Sequence, residues 1–429
     1  MITILSNFSL FDGTGRAPVD DALIAVADGN LLYAGRRAGW AAPAGAPSVT
    51  LNLGERWVVP GLIDAHVHLC DNGEADGRHH QDSAGTALDI LKNAQRNLAA
   101  GITTVRDAGG WNELEFGVRR AIDGGQFPGA RLCLAGRYIS ITESGMEEYP
   151  GMYRAADGVD AVRAAVREQV KHGADLIKLG VTGAVLVEDS RPGATLFNPD
   201  EIAAAVREAG KFGRRVAAHA HGADGIRAAV EAGVHSIEHG TFLHQDRALI
   251  RLMAERGVFL VPTLVAGWAV LGDEAPGVPE WIREKSRQVQ ADAQLSVKLA
   301  YEAGVPLAMG SDASTPLNVH GHNAIEVYWM HHAGLTATDA LLAATRNAAR
   351  CLGWESRLGT LEEGKAADLV VLNSNPLEDL RRLADPSQLH FVMKAGRVAA
   401  CHATETLPPE VRAETVLPIA DAPAPGPVN

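Results

Sequence analysis

Apolar and polar positions alternate in short runs at both ends of the chain. In residues 1–55, turn-forming pairs such as Asp12-Gly13 separate four predicted strands, at Ile2–Leu5, Ala22–Ala27, Leu31–Ala34 and Ser48–Leu53. Residues 368–373 and 389–398 have the same character near the other end. We expect the two ends to pair into one small β-sandwich domain, built from residues 1–55 and 356–405, which the middle of the chain interrupts.

The middle of the chain, residues 56–355, repeats a different pattern, in which a short apolar run precedes a stretch with helical spacing. The run before His66 is the first of eight, and the others are Ile102–Arg106, Leu132–Ala135, Leu176–Leu179, Val216–His219, Ser236–His239, Phe259–Pro262 and Leu307–Gly310. Eight such units predict an α/β fold of the (β/α)8 TIM barrel type, with its active site at the C-terminal ends of the strands. Residues 406–429, rich in Pro and Ala, are expected to form a C-terminal tail.

Composition narrows the function classes. The 429 residues are 46% hydrophobic and carry a formal net charge of −13, and the sequence has no basic cluster, which argues against nucleic-acid binding. The four cysteines show no Cys-x-x-Cys spacing, so neither a disulfide framework nor a thiolate zinc site is expected. The N-terminus does not have the pattern of a signal peptide, and no apolar run is long enough to span a bilayer. We therefore expect a cytoplasmic protein that does not enter membranes.

Four histidines stand at predicted strand ends. His66 and His68 are two positions apart, so both imidazoles can face the barrel mouth and bind one metal ion. His219 and His239 end two consecutive strands. A single histidine is more often a hydrogen-bonded structural residue, but the joint placement of four predicts a metal site. His221 also follows His219 by two positions, but we assign it to a loop beyond the strand.

Lys178 and Asp312 complete this set. Lys178 lies inside the apolar run Leu176–Leu179, where it is either an ordinary lysine that reaches solvent or a lysine that has captured CO2. The resulting carbamate would have two oxygens with which to bridge two cations. Asp312 follows the eighth strand and is either an Asx turn or a metal-binding carboxylate that accepts a proton from the attacking water. The six side chains together point to two divalent metal ions and a hydrolase.

These residues, in this order, resemble the amidohydrolase superfamily over nearly the whole chain. The stretches 103–107, 237–240 and 320–321 are similar to the branch that holds imidazolonepropionases and prolidase-like enzymes, which are Xaa-Pro dipeptidases and metal-dependent carboxypeptidases. The resemblance implies hydrolysis of an amide C–N bond in a dipeptide, N-acyl amino acid or related small molecule, by a hydroxide held between two metal ions. Zinc is the default metal.

The resemblance also implies a role for each candidate ligand. The first metal would be bound by His66, His68 and Asp312, the second by His219 and His239, and carboxylated Lys178 would bridge the two. Asp312 would in addition shuttle the proton to the leaving nitrogen.

Two positions depart from the pattern of that branch. Its peptidases often carry a histidine after the third strand, where this chain has Ser140-Ile141-Thr142, and a tyrosine past the sixth-strand His-Gly, where this chain has Phe242. Both departures favour an uncharged or bulkier amide, carbamate or urea. Tyr138, Phe242 and His320 are our candidate substrate-binding residues.

Several alternatives stay open. The chain could hydrolyse carbamates or arylureas, or a cyclic amide in the manner of imidazolonepropionase. It could be a metal-binding scaffold without catalysis, although the presence of Lys178 and Asp312 argues against that. A one-metal deaminase would use a similar set of histidines, but such enzymes usually have a glutamate in place of Lys178. The resemblance also allows a homo-oligomer.

Overall fold

The computed structural model describes residues 1–76, 82–272, 275–402 and 407–419. The strands are β1 (Ile2–Leu10), β2 (Ala22–Ala27), β3 (Asn30–Arg36), β4 (Ser48–Pro60), β5 (Leu62–Val67), β6 (Ile102–Asp107), β7 (Arg131–Leu134), β8 (Tyr138–Ser140), β9 (Tyr153–Ala155), β10 (Leu176–Gly180), β11 (Arg215–Ala220), β12 (Ser236–His239), β13 (Phe259–Val261), β14 (Leu369–Leu372), β15 (Leu389–Lys394), β16 (Arg397–Cys401) and β17 (Arg412–Pro418).

The helices are α1 (Ser83–Ala99), α2 (Glu115–Asp123), α3 (Gly145–Glu148), α4 (Val159–His172), α5 (Pro199–Gly210), α6 (Ala223–Ala232), α7 (Arg247–Arg256), α8 (Leu264–Leu271), α9 (Glu280–Glu302), α10 (Ile325–His332), α11 (Ala337–Leu342) and α12 (Ala348–Leu352). Within the four ranges given above, no helix is both long and apolar enough to cross a membrane.

Strands from both chain ends form one mixed sheet of eight strands, in the order β17-β16-β15-β14-β4-β1-β2-β3. β4 joins the two halves, because it pairs parallel with β1 and antiparallel with β14, where Val370 lies opposite Val59. The buried side chains of Leu5, Phe8 and Phe391 belong to one apolar cluster between the two halves. The prediction that the two ends build one β-unit is confirmed, while the domain boundaries drawn from the sequence stay predictions.

β17 differs from the expected tail. Residues 412–418 pair parallel with β16 at the edge of the sheet, whereas residues 406 and 420–429 lie outside the described part of the chain. Every side chain of this strand is exposed or half-buried. An edge strand of this kind has little apolar periodicity, so the sequence pattern gives no signal for it.

Seven of the eight predicted barrel strands are the parallel strands β5, β6, β7, β10, β11, β12 and β13. The eighth segment, 307–310, is not a regular strand, but its backbone closes the ring. Ala308 N donates to Leu260 O at 3.0 Å, and Ala65 N donates to Met309 O at 2.8 Å. Between the third and fourth strands the ring continues through β8, which pairs with β10. The predicted TIM barrel is confirmed.

The interior of the barrel is apolar below its mouth. Side chains such as Ile63, Leu176 and Val261 pack together there and are buried. At the mouth, α8 and α9 pack on each other beside the ends of β12 and β13. The predicted ligands His66 and His239 stand at the C-terminal ends of their strands, where a TIM barrel places its active site.

Candidate metal centre

Four of the six predicted ligands meet at the ends of strands β5 and β10 and at the start of the loop after the eighth segment. His66 Nε2 and His68 Nε2 lie 3.5 and 3.4 Å from Asp312 Oδ1. Lys178 Nζ lies 3.3 Å from His66 Nε2. The spacing of two residues between the histidines therefore does direct both imidazoles to the same carboxylate.

The other two predicted ligands lie beside this group. The ring centroid of His239 is 5.0 Å from that of His66 and 4.5 Å from that of His219. All six side chains line one cavity. The structure thus brings the whole predicted set together, and the binding of metal by these residues stays a prediction.

His221 is a member of the same cluster, although we assign it from the sequence to a loop, because it follows the predicted end of its strand. It follows β11, in the predicted loop, but its buried ring lies 4.7 Å from the His219 ring and 4.9 Å from the His239 ring, between centroids. Its Nδ1 is 2.7 Å from Thr241 Oγ1. His221 lies in a loop, as expected. Its Nε2 edge faces the cluster, so its side chain becomes a further candidate ligand.

Hydrogen bonds to groups outside the ligand cluster determine the tautomers of the His66 and His68 imidazoles. His66 Nδ1 is 2.8 Å from the Glu238 carboxylate, and His68 Nδ1 is 3.0 Å from the carbonyl oxygen of Gly109. A carbonyl oxygen and an ionised carboxylate accept hydrogen bonds but cannot donate them. Each Nδ1 therefore carries the hydrogen and donates it. The lone pair of each Nε2 is then directed to the centre, which is the form of histidine that binds a metal.

The donor set fits divalent metal ions. Among the described residues two groups have ligand atoms within 4.8 Å of one another, namely His66 with His239 and Asp312, and His219 with His221 and His239. His219 Nε2 is buried and has no hydrogen-bond partner among the residues that the structure describes, which is costly unless another group binds it. Nitrogen and oxygen donors suit zinc and equally manganese, cobalt or iron.

Three residues at the mouth hold a backbone conformation that is rare for side chains other than glycine. His239, Thr263 and Asp312 have φ angles of 70°, 53° and 56°. His239 Nδ1 also lies 2.8 Å from Thr263 Oγ1, so two of the three hold each other. Left-handed conformations cost free energy and persist at functional sites where the surroundings enforce them.

Lys178 is buried without a carboxylate partner. Its side chain is 1% exposed, and no ion pair within 4 Å is found for it in the described part of the chain. Burial lowers the pKa of Lys178 to about 8. A substantial fraction of the amine is therefore neutral near physiological pH, and a neutral amine is the form that reacts with CO2.

A buried ion pair supports His66 from behind. The Glu238 carboxylate accepts two hydrogen bonds from Arg106 Nη2, both 2.8 Å, and one from Ser236 Oγ at 2.6 Å. Burial would raise the pKa of Glu238, but the Arg106 guanidinium, the hydrogen bond from His66 and the Lys178 ammonium together outweigh burial and hold that pKa well below its usual range. Glu238 is therefore an ionised carboxylate at every physiological pH, and it orients His66.

A second buried carboxylate connects the first strand to the loop of Asp312. Asp64 accepts hydrogen bonds from the backbone N–H of His66 at 3.0 Å and of Ser311 at 3.1 Å. The hydroxyl of Ser311 and the amide of Asn323 donate to its other oxygen at 2.5 and 2.8 Å. Burial raises the pKa of Asp64 to about 6. Asp64 fixes the two backbone segments that carry His66 and Asp312, a role that sequence reasoning missed.

The three predicted substrate-binding residues are distributed differently from the expectation. Tyr138 lines the cavity. Phe242 and His320 are not among the residues that line it. His320 accepts from the amide of Asn97 at 3.1 Å and donates from Nε2 to the carbonyl oxygen of His68 at 3.1 Å, so it supports a ligand instead. Nothing in the sequence around Phe242 or His320 distinguishes a residue that lines the cavity from one that does not.

Away from the ligands, the cavity is mostly apolar and aromatic. Its wall comprises Tyr138, Tyr149, Met152 and Tyr153, residues 184–187, and side chains of α8 and α9 that include Leu264, Val270, Val289 and Ala293. Trp268 and Trp329 are not among the residues of this wall, and they stack on each other with ring centroids 4.3 Å apart. No arginine is among the described residues that line the cavity, and Lys178 is the lysine there.

Comparison with known proteins gives a consistent result. The sequence model described as the amidohydrolase family matches residues 57–399. The chain is 30% identical to ochratoxinase of Aspergillus niger, over 92% of this chain and 86% of that protein. It is 28% identical to imidazolonepropionase of Rhizorhabdus wittichii, over 84% of this chain and 90% of that one. A crystal structure of a Xaa-Pro dipeptidase with bound methionine superposes with a TM-score of 0.84, at 32% identity, over 93% of this chain and 99% of that one.

Proposed function

The chain belongs to the amidohydrolase family and is a hydrolase of carbon–nitrogen bonds, and we propose that it cleaves an amide bond with the help of two divalent metal ions. The observation that carries the proposal is the convergence of four imidazoles, a carboxylate and a buried lysine at the barrel mouth, with the His66 and His68 lone pairs directed inward. We assign the first metal to His66, His68 and Asp312, and the second to His219 and His239.

Lys178 is proposed to bridge the two metals as a carbamate. The support is its burial, the lowered pKa of its amine and its position 3.3 Å from His66 Nε2, in the cavity that all six predicted ligands line. A carbamate is an anion, so it removes the cost of an unpaired buried ammonium and supplies two oxygens to two cations. Bound divalent ions would lower the pKa of a coordinated water and polarise the scissile carbonyl.

Asp312 is proposed to move the proton. Its Oδ1 faces the two imidazoles of the first strand, which leaves Oδ2 to accept a proton from the attacking water. The same oxygen then returns that proton to the leaving nitrogen, which departs as a neutral amine. The left-handed backbone at Asp312, held by Asp64 through Ser311, keeps this carboxylate directed at the cavity.

For the substrate, we propose a dipeptide, an N-acyl amino acid or a related amide with a bulky apolar group. The similarity to ochratoxinase and to a Xaa-Pro dipeptidase supports the amide, and the aromatic wall around Tyr138, Tyr149 and Tyr153 supports the apolar group. Hydrolysis of an aryl carbamate or arylurea is the second candidate. The absence of arginine from the described lining favours it, because a free carboxylate on the substrate would gain no guanidinium partner there.

A substrate panel with metal-loaded enzyme tests both candidates. Dipeptides, N-acyl amino acids, their methyl esters or amides, aryl carbamates and arylureas would be compared, with release of amine as the readout. Activity that requires the free carboxylate supports the first candidate, and equal or faster turnover of the neutral compounds supports the second. A protein that holds two metal equivalents and hydrolyses none of them would contradict the proposed function and favour a scaffold.

A further inference from the structure

The segment after β10 and helix α9 form neighbouring parts of the cavity wall. Residues 184–187 line one part, and Ser286, Val289 and Ala293 of α9 line another. The position of the segment against the helix determines how much room the cavity leaves for an apolar group. The contacts that hold the segment against the helix therefore affect which substrates the cavity accepts.

Lys285 connects α9 to this segment through its ammonium group. Its Nζ donates to the carbonyl oxygens of Val187 at 2.6 Å, Glu188 at 2.7 Å and Ser190 at 2.7 Å. An ammonium group has three hydrogens, so the three carbonyls use its full capacity. The ammonium also lies 5.2 Å from the centroid of the Trp281 ring, one turn earlier on the same helix.

The segment is closed on itself around this ammonium. Ala184 N donates to Ser190 Oγ at 3.1 Å, and Ser190 N donates to Val187 O at 3.0 Å. Tyr149, which also lines the cavity, donates its hydroxyl hydrogen to Leu186 O at 3.3 Å. Residues 184–190 thus behave as one folded loop, and the Lys285 ammonium is the α9 group that hydrogen-bonds to it in the described part of the chain.

We propose that Lys285 is a specificity-determining residue, which sets the width of the apolar end of the substrate cavity by holding residues 184–190 against α9. Lys285 itself does not line the cavity, so it acts by positioning the loop. Hydrogen bonds from a charged donor are stronger than neutral ones, so three of them to one loop oppose the conformational entropy that the loop would regain on release. The inference rests on the proposed function only in that the cavity is the substrate site.

Binding of hydroxamic acids tests the inference without relying on turnover. Acetohydroxamate and benzohydroxamate share the group that binds metal ions and differ in the apolar part that would reach the wall. Their dissociation constants would be measured by calorimetry on metal-loaded wild type, Lys285→Met, Lys285→Arg and the control Lys298→Met, an exposed lysine of the same helix. We expect Lys285→Met to lower the preference for the aryl compound about tenfold, with binding of acetohydroxamate and the control variant unchanged.

A second readout follows the loop itself. Glutamyl endopeptidase cuts after Glu188, which is exposed, and we expect faster cleavage there in Lys285→Met than in the control. In Lys285→Ala, propylammonium replaces the missing part of the side chain, and it should restore both slow cleavage and the aryl preference. In Lys285→Arg, the planar guanidinium does not match three converging carbonyls. We therefore expect this variant to show fast cleavage and a low aryl preference, as Lys285→Met does.

The inference is overturned if Lys285→Met keeps the aryl preference, if both hydroxamates weaken equally, or if propylammonium has no effect. Failure of the proposed function would look different. In that case the wild-type protein would hydrolyse none of the amides, carbamates or ureas, whatever the variants do to hydroxamate binding or to cleavage after Glu188.

Discussion

Glu238→Gln is the perturbation whose consequences the structure specifies best. The carboxylate has no solvent exposure, and it receives one hydrogen bond from His66, two from Arg106 and one from Ser236. A glutamine can satisfy only part of this set. If its amide nitrogen faces Arg106, two donors meet, and if it faces His66, the imidazole Nδ1 loses its acceptor.

The expected magnitude follows from burial and charge. Removing one partner of a buried ion pair costs about 3–5 kcal/mol, because Arg106, itself 3% exposed, keeps an uncompensated charge. Loss of an outer partner of a metal-binding histidine weakens metal affinity about 10- to 100-fold. We therefore expect Glu238→Gln to lower both the free energy of unfolding of the metal-free protein and its affinity for the first metal.

Two measurements separate these effects. Urea unfolding of the metal-free protein gives the cost of the broken pair, and competition with a chromogenic chelator gives the metal affinity of the folded protein. Ser236→Ala removes the hydrogen bond to Glu238 and the one from Arg106 Nη1 but no charge, so it should give a smaller loss in both and stay folded if Glu238→Gln does not.

Glu326→Gln is the matched control. Glu326 is equally buried and accepts hydrogen bonds from the backbone N–H of Leu264 and Val265 at 2.9 and 2.7 Å. Burial raises its pKa far above the usual range, so Glu326→Gln changes a buried carboxyl group without breaking an ion pair, at the cost of one of these two backbone hydrogen bonds. A folded Glu238→Gln protein that competes for metal as well as wild type and Glu326→Gln would refute the positioning of His66 by Glu238.

Three further predictions concern catalysis and pH. Asp312→Asn should bind metal but lose turnover by about 10²-fold or more, because an amide cannot carry the proton; steady-state kinetics and metal analysis check this, and near-normal rates would exclude Asp312 as the proton carrier. Lys178→Ala should lose metal and regain part of it with formate or acetate, as measured by metal analysis after gel filtration; full metal content without additive would exclude the bridge. Burial lowers the pKa of Lys394 from 10.5 to about 8, so the folded state binds fewer protons than the unfolded state between these values. Unfolding free energy should then rise with pH from about 8 to 10.5, and Lys394→Met should lack the Lys394 part of this rise; identical pH profiles of the two proteins in urea would contradict it.

The barrel and the meeting place of the candidate ligands could be predicted because each depends on a local pattern. Apolar runs of strand length in the order strand–helix identify the units, and the C-terminal ends of such strands always meet at one face. A histidine at a run's end, such as His219, therefore has a predictable location before any distance is known. The position of Lys178 inside a run gave a further signal, because a charge there needs a reason.

The supporting residues could have been found by the same rule and were missed because their partners are distant in sequence. Asp64, Arg106 and Glu238 are charged residues inside apolar strands, as Lys178 is. Pairing between Arg106 and Glu238 joins strands separated by 132 positions, which no local pattern shows. His221 was placed in a loop correctly, but the direction of its ring depends on the turn after β11 and on Thr241, which spacing does not reveal.

The strand that joins the two halves of the mixed sheet has a consequence for biosynthesis. β4 continues directly into β5, which carries the first histidines, yet its partner β14 is translated about 300 residues later. A ribosome-bound chain therefore holds β1 to β4 with the edge at residues 57–60, which later pairs with β14, uncovered for most of its synthesis. At about 5–20 residues per second that interval lasts on the order of tens of seconds, during which this apolar edge is open to misassembly and to chaperone binding.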